Sequence, residues 1–83
     1  MSNREKLKNL LVDVFLLEPS AFRFNLTRDE VETWDSLGIV AMAVGIHETF
    51  GYHFTPEEAI AIKEVQDIID TLSKKGIPFD ETS

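Results

Sequence analysis

At 83 residues, with 43% hydrophobic and 28% charged side chains, the chain is sized for a single domain spanning 1–83, too apolar to stay disordered and small enough to be only modestly stable. Eight Lys and Arg against fifteen Asp and Glu give a formal net charge of −7, and from Asp29 to Asp70 ten carboxylates (Asp29, Glu30, Glu32, Asp35, Glu48, Glu57, Glu58, Glu64, Asp67 and Asp70) stand against Lys63 alone. A surface of that sign disfavours nucleic acid and anionic lipid and favours basic protein partners.

The first helix opens at Ser2-Asn3-Arg4-Glu5, which reads as a capping box. It carries Leu7, Leu10, Leu11, Val14 and Phe15 at helical spacing and ends near Glu18-Pro19. Met1 leads straight into this charged amphipathic pattern, so no secretory signal is expected and a cytoplasmic protein is. An irregular stretch follows from Glu18 to Thr33, long for a compact domain, and Phe22, Phe24, Leu26, Val31 and Trp34 are the residues suited to pin it across the fold. Asp35 caps a second helix whose inward positions are Ile39, Ala43, Ile46 and Phe50 and which Gly51 ends. Its apolar run, Leu37 to Ile46, is about half of the roughly 20 residues that a membrane span needs.

Thr55-Pro56-Glu57-Glu58 combines a capping threonine, a proline at the first helical position and a glutamate at the third, and predicts a short third helix to about Ile62. The fourth helix holds Val65, Ile68, Ile69 and Leu72 and closes on Lys74-Lys75-Gly76 and Pro78. Its start is poorly marked, because neither Lys63 nor Glu64 is a favoured cap. The expected fold is all-α, a four-helix bundle with a long first loop and a short third helix.

Ser36 is the residue that chemistry singles out. It sits at the start of an apolar helix behind an aspartate cap, where free N–H groups and the helix dipole favour a bound phosphate. Leu37, Val40 and Val44 fall off the inward stripe and form an exposed apolar patch beside it. Ala43, Ile46, Ala59 and Ile62 suit either a slot between the second and third helices or ordinary close packing. His47 and His53 lack metal-ligand spacing and a partnered nucleophile, and no catalytic residue and no dedicated metal site is expected. Diffuse divalent-cation binding to the acidic face remains compatible with the charge. There is no cysteine, so any thiol has to come from an attached group.

Asp35-Ser36-Leu37 at the second helix, Glu48-Thr49-Phe50-Gly51 at its end, Thr55-Pro56-Glu57-Glu58-Ala59 opening the third and Val65-Gln66-Asp67-Ile68-Ile69 in the fourth together resemble the acyl carrier protein family. The resemblance covers nearly the whole chain, with the first loop least well matched. It implies a carrier rather than an enzyme, with 4'-phosphopantetheine transferred from coenzyme A to Ser36 by a phosphopantetheinyl transferase, and Asp35 capping the helix and helping to place the metal and the hydroxyl during transfer. The acyl group would ride as a thioester on the arm, in fatty-acid, polyketide or related lipid metabolism, and Ala43, Ile46, Ala59 and Ile62 would line the slot for its chain.

Leu37, Val40, Val44, Glu48, Glu57 and Glu58 would meet acyl-activating, acyl-transfer or condensing enzymes with basic docking surfaces, the carrier itself acting as a monomer. Fatty-acid carriers usually bear several acidic residues on the partner face of the second helix. Gly38, Ala41, Gly45 and His47 are expected there instead, beside Glu48, which points to a specialised carrier. Two other readings stay open: an aminoacyl or peptidyl carrier of a non-ribosomal pathway, and a helical interaction module whose Ser36 is never modified.

Overall fold

The computed structural model describes residues 2–79. Helices α1 (Asn3–Val14), α2 (Ser36–Phe50), α3 (Pro56–Ala61) and α4 (Val65–Lys74) follow in that order, and among the described residues there is no strand, only an isolated antiparallel bridge between Thr27 and Glu64. The fold is therefore the all-α, four-helix architecture with a short third helix. Among the described residues no helix is long and apolar enough to cross a membrane.

Three of the helix starts follow from side-chain caps. Ser2 Oγ accepts from the Glu5 N–H at 3.2 Å, Asp35 Oδ1 from the Gly38 N–H at 3.0 Å and Thr55 Oγ1 from the Glu58 N–H at 3.1 Å, each satisfying a first-turn donor that has no helical partner. α4 starts differently. Asp67 reaches back from inside the helix and its carboxylate accepts from the Lys63 N–H at 3.0 Å, while the loop holds the preceding residues through Arg28 N–H to Lys63 O (2.7 Å) and Val65 N–H to Leu26 O (3.0 Å). The missing cap is replaced by a tertiary bridge that the local sequence does not announce.

α1 and α2 run antiparallel, since Phe15 lies against Gly38 and Leu10 against Gly45. A Cβ at Gly38 would stand 2.1 Å from Thr33 O and 3.0 Å from the Phe15 ring, and one at Gly45 would stand 2.3 Å from Leu10 Cδ1. These glycines let α1 approach closely, and that approach turns the buried line of α2 onto Gly38, Ile39, Met42 and Ile46. Two expectations are corrected by this packing. Met42 is a core residue, with Ala43 and Phe50 only half-buried, and Gly38 and Gly45 face α1 rather than the partner side, where only Ala41, His47 and Glu48 of the expected set remain exposed. The patterns 39-43-46-50 and 39-42-46 both fit one helical face, so spacing alone does not choose between them.

α1 is also shorter than its apolar pattern suggests. Phe15 caps it, Leu16 turns into the left-handed region (φ 56°) and the Leu17 N–H donates to Val12 O at 2.9 Å. The connection to α2 is then organised by two 3₁₀ turns, Pro19–Ala21 and Arg28–Glu30. Leu26, Val31 and Trp34 are buried in the common core, and Phe22 and Phe24 pack half-buried against it, edge to face with centroids 5.0 Å apart. At the other end Gly51 takes φ 79° to end α2, a conformation that costs glycine little and other residues about 1 kcal/mol or more. Asn3 Nδ2 donates to Pro78 O at 2.7 Å, tying the segment after α4 to the start of α1.

Candidate functional site

The segment before α2 is fixed from three sides. The Thr33 hydroxyl donates to Phe15 O at 2.6 Å, Trp34 stacks on the Phe15 ring with centroids 4.9 Å apart, and the Asp35 carboxylate is committed to the Gly38 N–H. Ser36, the next residue, is the first of α2 and its side chain is exposed. The result is a solvent-facing hydroxyl on a rigid mount. The helix leaves the first-turn N–H groups of Ser36 and Leu37 without an intrahelical acceptor.

Ser36 is also the head of a groove. Along α2 the groove is lined by Ser36, Ile39, Val40, Ala43, Val44 and His47, one face at steps of three and four. Phe54, Thr55, Pro56, Ala59 and Ile60 form the wall opposite, with His53 and Arg28 completing it, and the open cavity measures about 570 Å³. His47 and His53 meet edge to face with centroids 5.2 Å apart. The lining is mostly aliphatic, and among the described residues no carboxylate contributes to it.

Of the four residues considered for a slot between the second and third helices, Ala43 and Ala59 line this groove. Ile46 and Ile62 do not, because they point into the core beneath, at 0% and 3% exposure. Leu37, Val40 and Val44 are 82%, 61% and 53% exposed, so they stand free in a chain whose other large aliphatic residues are mostly buried. Val40 and Val44 border the groove and Leu37 lies outside it. Ile60, also exposed, extends the apolar rim from the α3 side.

The carboxylates beside the site differ in how they are engaged. Glu48 and Glu57 are exposed. Glu58 accepts from the Thr55 N–H at 3.0 Å and from the Tyr52 hydroxyl at 2.7 and 2.8 Å. The Thr55 N–H, then Tyr52, hold the Glu58 carboxyl below the usual range, and the same carboxylate pushes the Tyr52 phenol up. On the far side of the first loop, the Thr27 N–H at 3.0 Å and then Arg23 hold Glu30 down in the same way. Among the described residues no cluster of three or more His, Asp or Glu could hold a metal ion.

Sequence reasoning missed Arg28, Phe54, Ile60 and the histidines as groove residues. His47 had a usable signal, four residues beyond Ala43 and eleven beyond Ser36 on the same helical face. Arg28 had none, because its position depends on the bridge between the first loop and the segment after α3.

No protein-family model matches the chain. Curated proteins do. The chain is 31% identical over 71 residues to an acyl carrier protein of Thermosynechococcus vestitus, covering 86% of this chain and 88% of that one. It is 29% identical over 76 residues to an acyl carrier protein of Bdellovibrio bacteriovorus (92% and 97% covered), and 29% over 68 residues to one of Coprothermobacter proteolyticus (82% and 83%). A near full-length match at this level, on a four-helix fold of the same length, defines a class of carriers rather than enzymes. The chain belongs to the acyl carrier protein family.

Proposed function

We propose that this protein carries acyl groups on a 4'-phosphopantetheine arm attached through a phosphodiester to the Ser36 hydroxyl. The observation that carries the reading is the placement of Ser36: exposed, first in a 15-residue helix, behind a committed aspartate cap and at the head of an open, largely aliphatic groove. These residues fit the group. The hydroxyl is accessible to a transferase, and the N-terminal dipole of α2 favours the phosphodiester charge. The arm supplies the thiol that the cysteine-free chain lacks, and the acyl group is held on it as a thioester. Asp35 fixes the first turn of α2 and thereby the direction of the Ser36 side chain. Ala43 and Ala59 keep the groove open because a larger side chain at either position would fill it.

Partner recognition falls to the exposed apolar surface of Leu37, Val40 and Val44, with Glu48, Glu57 and Glu58 around it. Apolar residues near the arm supply contact area, and the carboxylates favour enzymes with basic docking surfaces. With one carboxylate on the exposed side of α2, the acidic rim depends on the first turn of α3, which supports a specialised set of acyl-activating, acyl-transfer or condensing partners over a housekeeping one.

Incubation with coenzyme A and a broad-range phosphopantetheinyl transferase should add the mass of one phosphopantetheine group, and Ser36→Ala should fold as the parent does and gain nothing. An unmodified parent chain would favour a helical interaction module instead. A modified Ser36→Ala would move the attachment point elsewhere.

A further inference from the structure

The groove is an exception to the electrostatics of the chain. In a protein with net charge −7 its lining contains Arg28 and, among the described residues, no carboxylate. Among the described Lys and Arg residues, Arg28 alone lines the groove, and three observations describe it. Its backbone is fixed, with the N–H donating to Lys63 O at 2.7 Å within the bridge between Thr27 and Glu64. It is half-buried and lines the same cavity as Ser36. Its guanidinium has no ion-pair partner among the described residues, and the nearby Glu30 is already engaged by Thr27 and Arg23. An arginine on a fixed backbone at the wall of an apolar groove, with no carboxylate among the described lining residues, suits an anion, and its planar fork matches phosphate and carboxylate alike.

We propose that Arg28 is the anion-binding residue of the groove. The proposal rests on the reading of Ser36 as attachment site and deepens it. The anion has two possible sources with the same chemistry: the phosphodiester of the arm, or a carboxylate at the free end of an acyl cargo lying in the groove. The second source makes Arg28 a specificity residue that favours dicarboxylic over plain alkyl cargo. His47 and His53 do not compete for the first source. His47 stands eleven residues along α2 from Ser36, about 16 Å at 1.5 Å per residue.

The test compares parent, Arg28→Gln and Arg28→Lys proteins as holo, octanoyl and suberoyl forms, the last two differing only in a terminal carboxylate. The readouts are the ³¹P resonance of the arm and the rate of thioester release by hydroxylamine. If the arm is the anion, Arg28→Gln shifts the ³¹P resonance in every form, cargo or none, and Arg28→Lys restores it in part. If the cargo is the anion, the resonance stays put, and Arg28→Gln releases the suberoyl group about two- to fivefold faster, the scale of a half-exposed ion pair, while octanoyl release is unchanged.

Identical behaviour of Arg28→Gln and the parent in both readouts overturns the proposal and leaves Ser36 in place. Absence of any mass gain on the parent protein overturns the attachment reading first and this proposal with it. Should Arg28→Gln fail to fold, Arg28→Lys, which keeps the charge and loses the bidentate fork, carries the same comparison.

Discussion

Glu58 closes the capping box of α3 and anchors the Tyr52 hydroxyl, so one carboxylate fastens both the segment before the helix and the helix itself. Its folded pKa lies below the ordinary value of 4.5. The sign follows from linkage: a depressed carboxylate contributes stability above its unfolded pKa and loses it as pH falls through the folded one. Glu58→Gln keeps an oxygen for the Thr55 N–H and removes the charge, so it should melt below the parent at pH 7. The two melting curves should converge as pH drops below about 4.5. A gap that stays constant down to pH 3 would show that the effect is steric. Thr55→Ala removes the other half of the box and should cost about 1 kcal/mol by chemical denaturation; a change under a few tenths would mean that α3 is held by Ala59 and Ile62 alone.

At the scale of the elements, two glycines of α2 separate packing from propensity. Alanine improves a helix interior by about 1 kcal/mol over glycine, but at Gly38 its Cβ would fall 2.1 Å from the Thr33 carbonyl, a backbone atom tied down through the Phe15–Trp34 stack and the Thr33 hydrogen bond. At Gly45 the obstacle is Leu10 Cδ1, the end of a flexible side chain on the half-buried flank of α1. Gly38→Ala should therefore destabilise by about 1–3 kcal/mol, and Gly45→Ala should fall within about 1 kcal/mol of the parent in urea unfolding, the propensity gain offsetting the displaced leucine. Equal losses at both sites would mean that α1 is rigid along its whole length.

The same helix shows what a sequence discloses. Caps are local, so Asp35, Thr55 and Gly51 mark their helix ends by residue type and spacing alone. The choice between Met42 and Ala43 as core depends on which side α1 approaches, and that is decided by glycines whose missing side chains leave no mark in a hydropathy pattern. The end of α1 at Val14 is hidden because Leu16 and Leu17 continue an apolar run that the backbone abandons. The 3₁₀ turn at Arg28–Glu30 has a legible signal, since Thr27 and Glu30 repeat the spacing of Thr55 and Glu58. The placement of Arg28 in the groove is a property of two segments 35 residues apart, joined at Arg28 and Lys63.

For the whole molecule, like charges on a small domain subtract from folding free energy, and many of the carboxylates between Asp29 and Asp70 are exposed. Screening rises steeply as the Debye length contracts from about 30 Å at 0.01 M salt to about 10 Å at 0.1 M, so the melting temperature should climb across that range. Magnesium chloride should raise it further than sodium chloride at matched ionic strength, because a divalent ion can bridge neighbours such as Glu57 and Glu58. A melting temperature that is flat or falls in both salts would show the repulsion to be compensated already and the acidic docking surface to be electrostatically weak. Trp34, finally, is the sole tryptophan of the chain, 3% exposed and two residues before Ser36. The molecule thus contains its own fluorophore at the foot of the mount: emission from one indole reports on the turn that presents the hydroxyl, and under the proposed attachment at Ser36 a change in its intensity or wavelength would follow modification of that residue without any added dye.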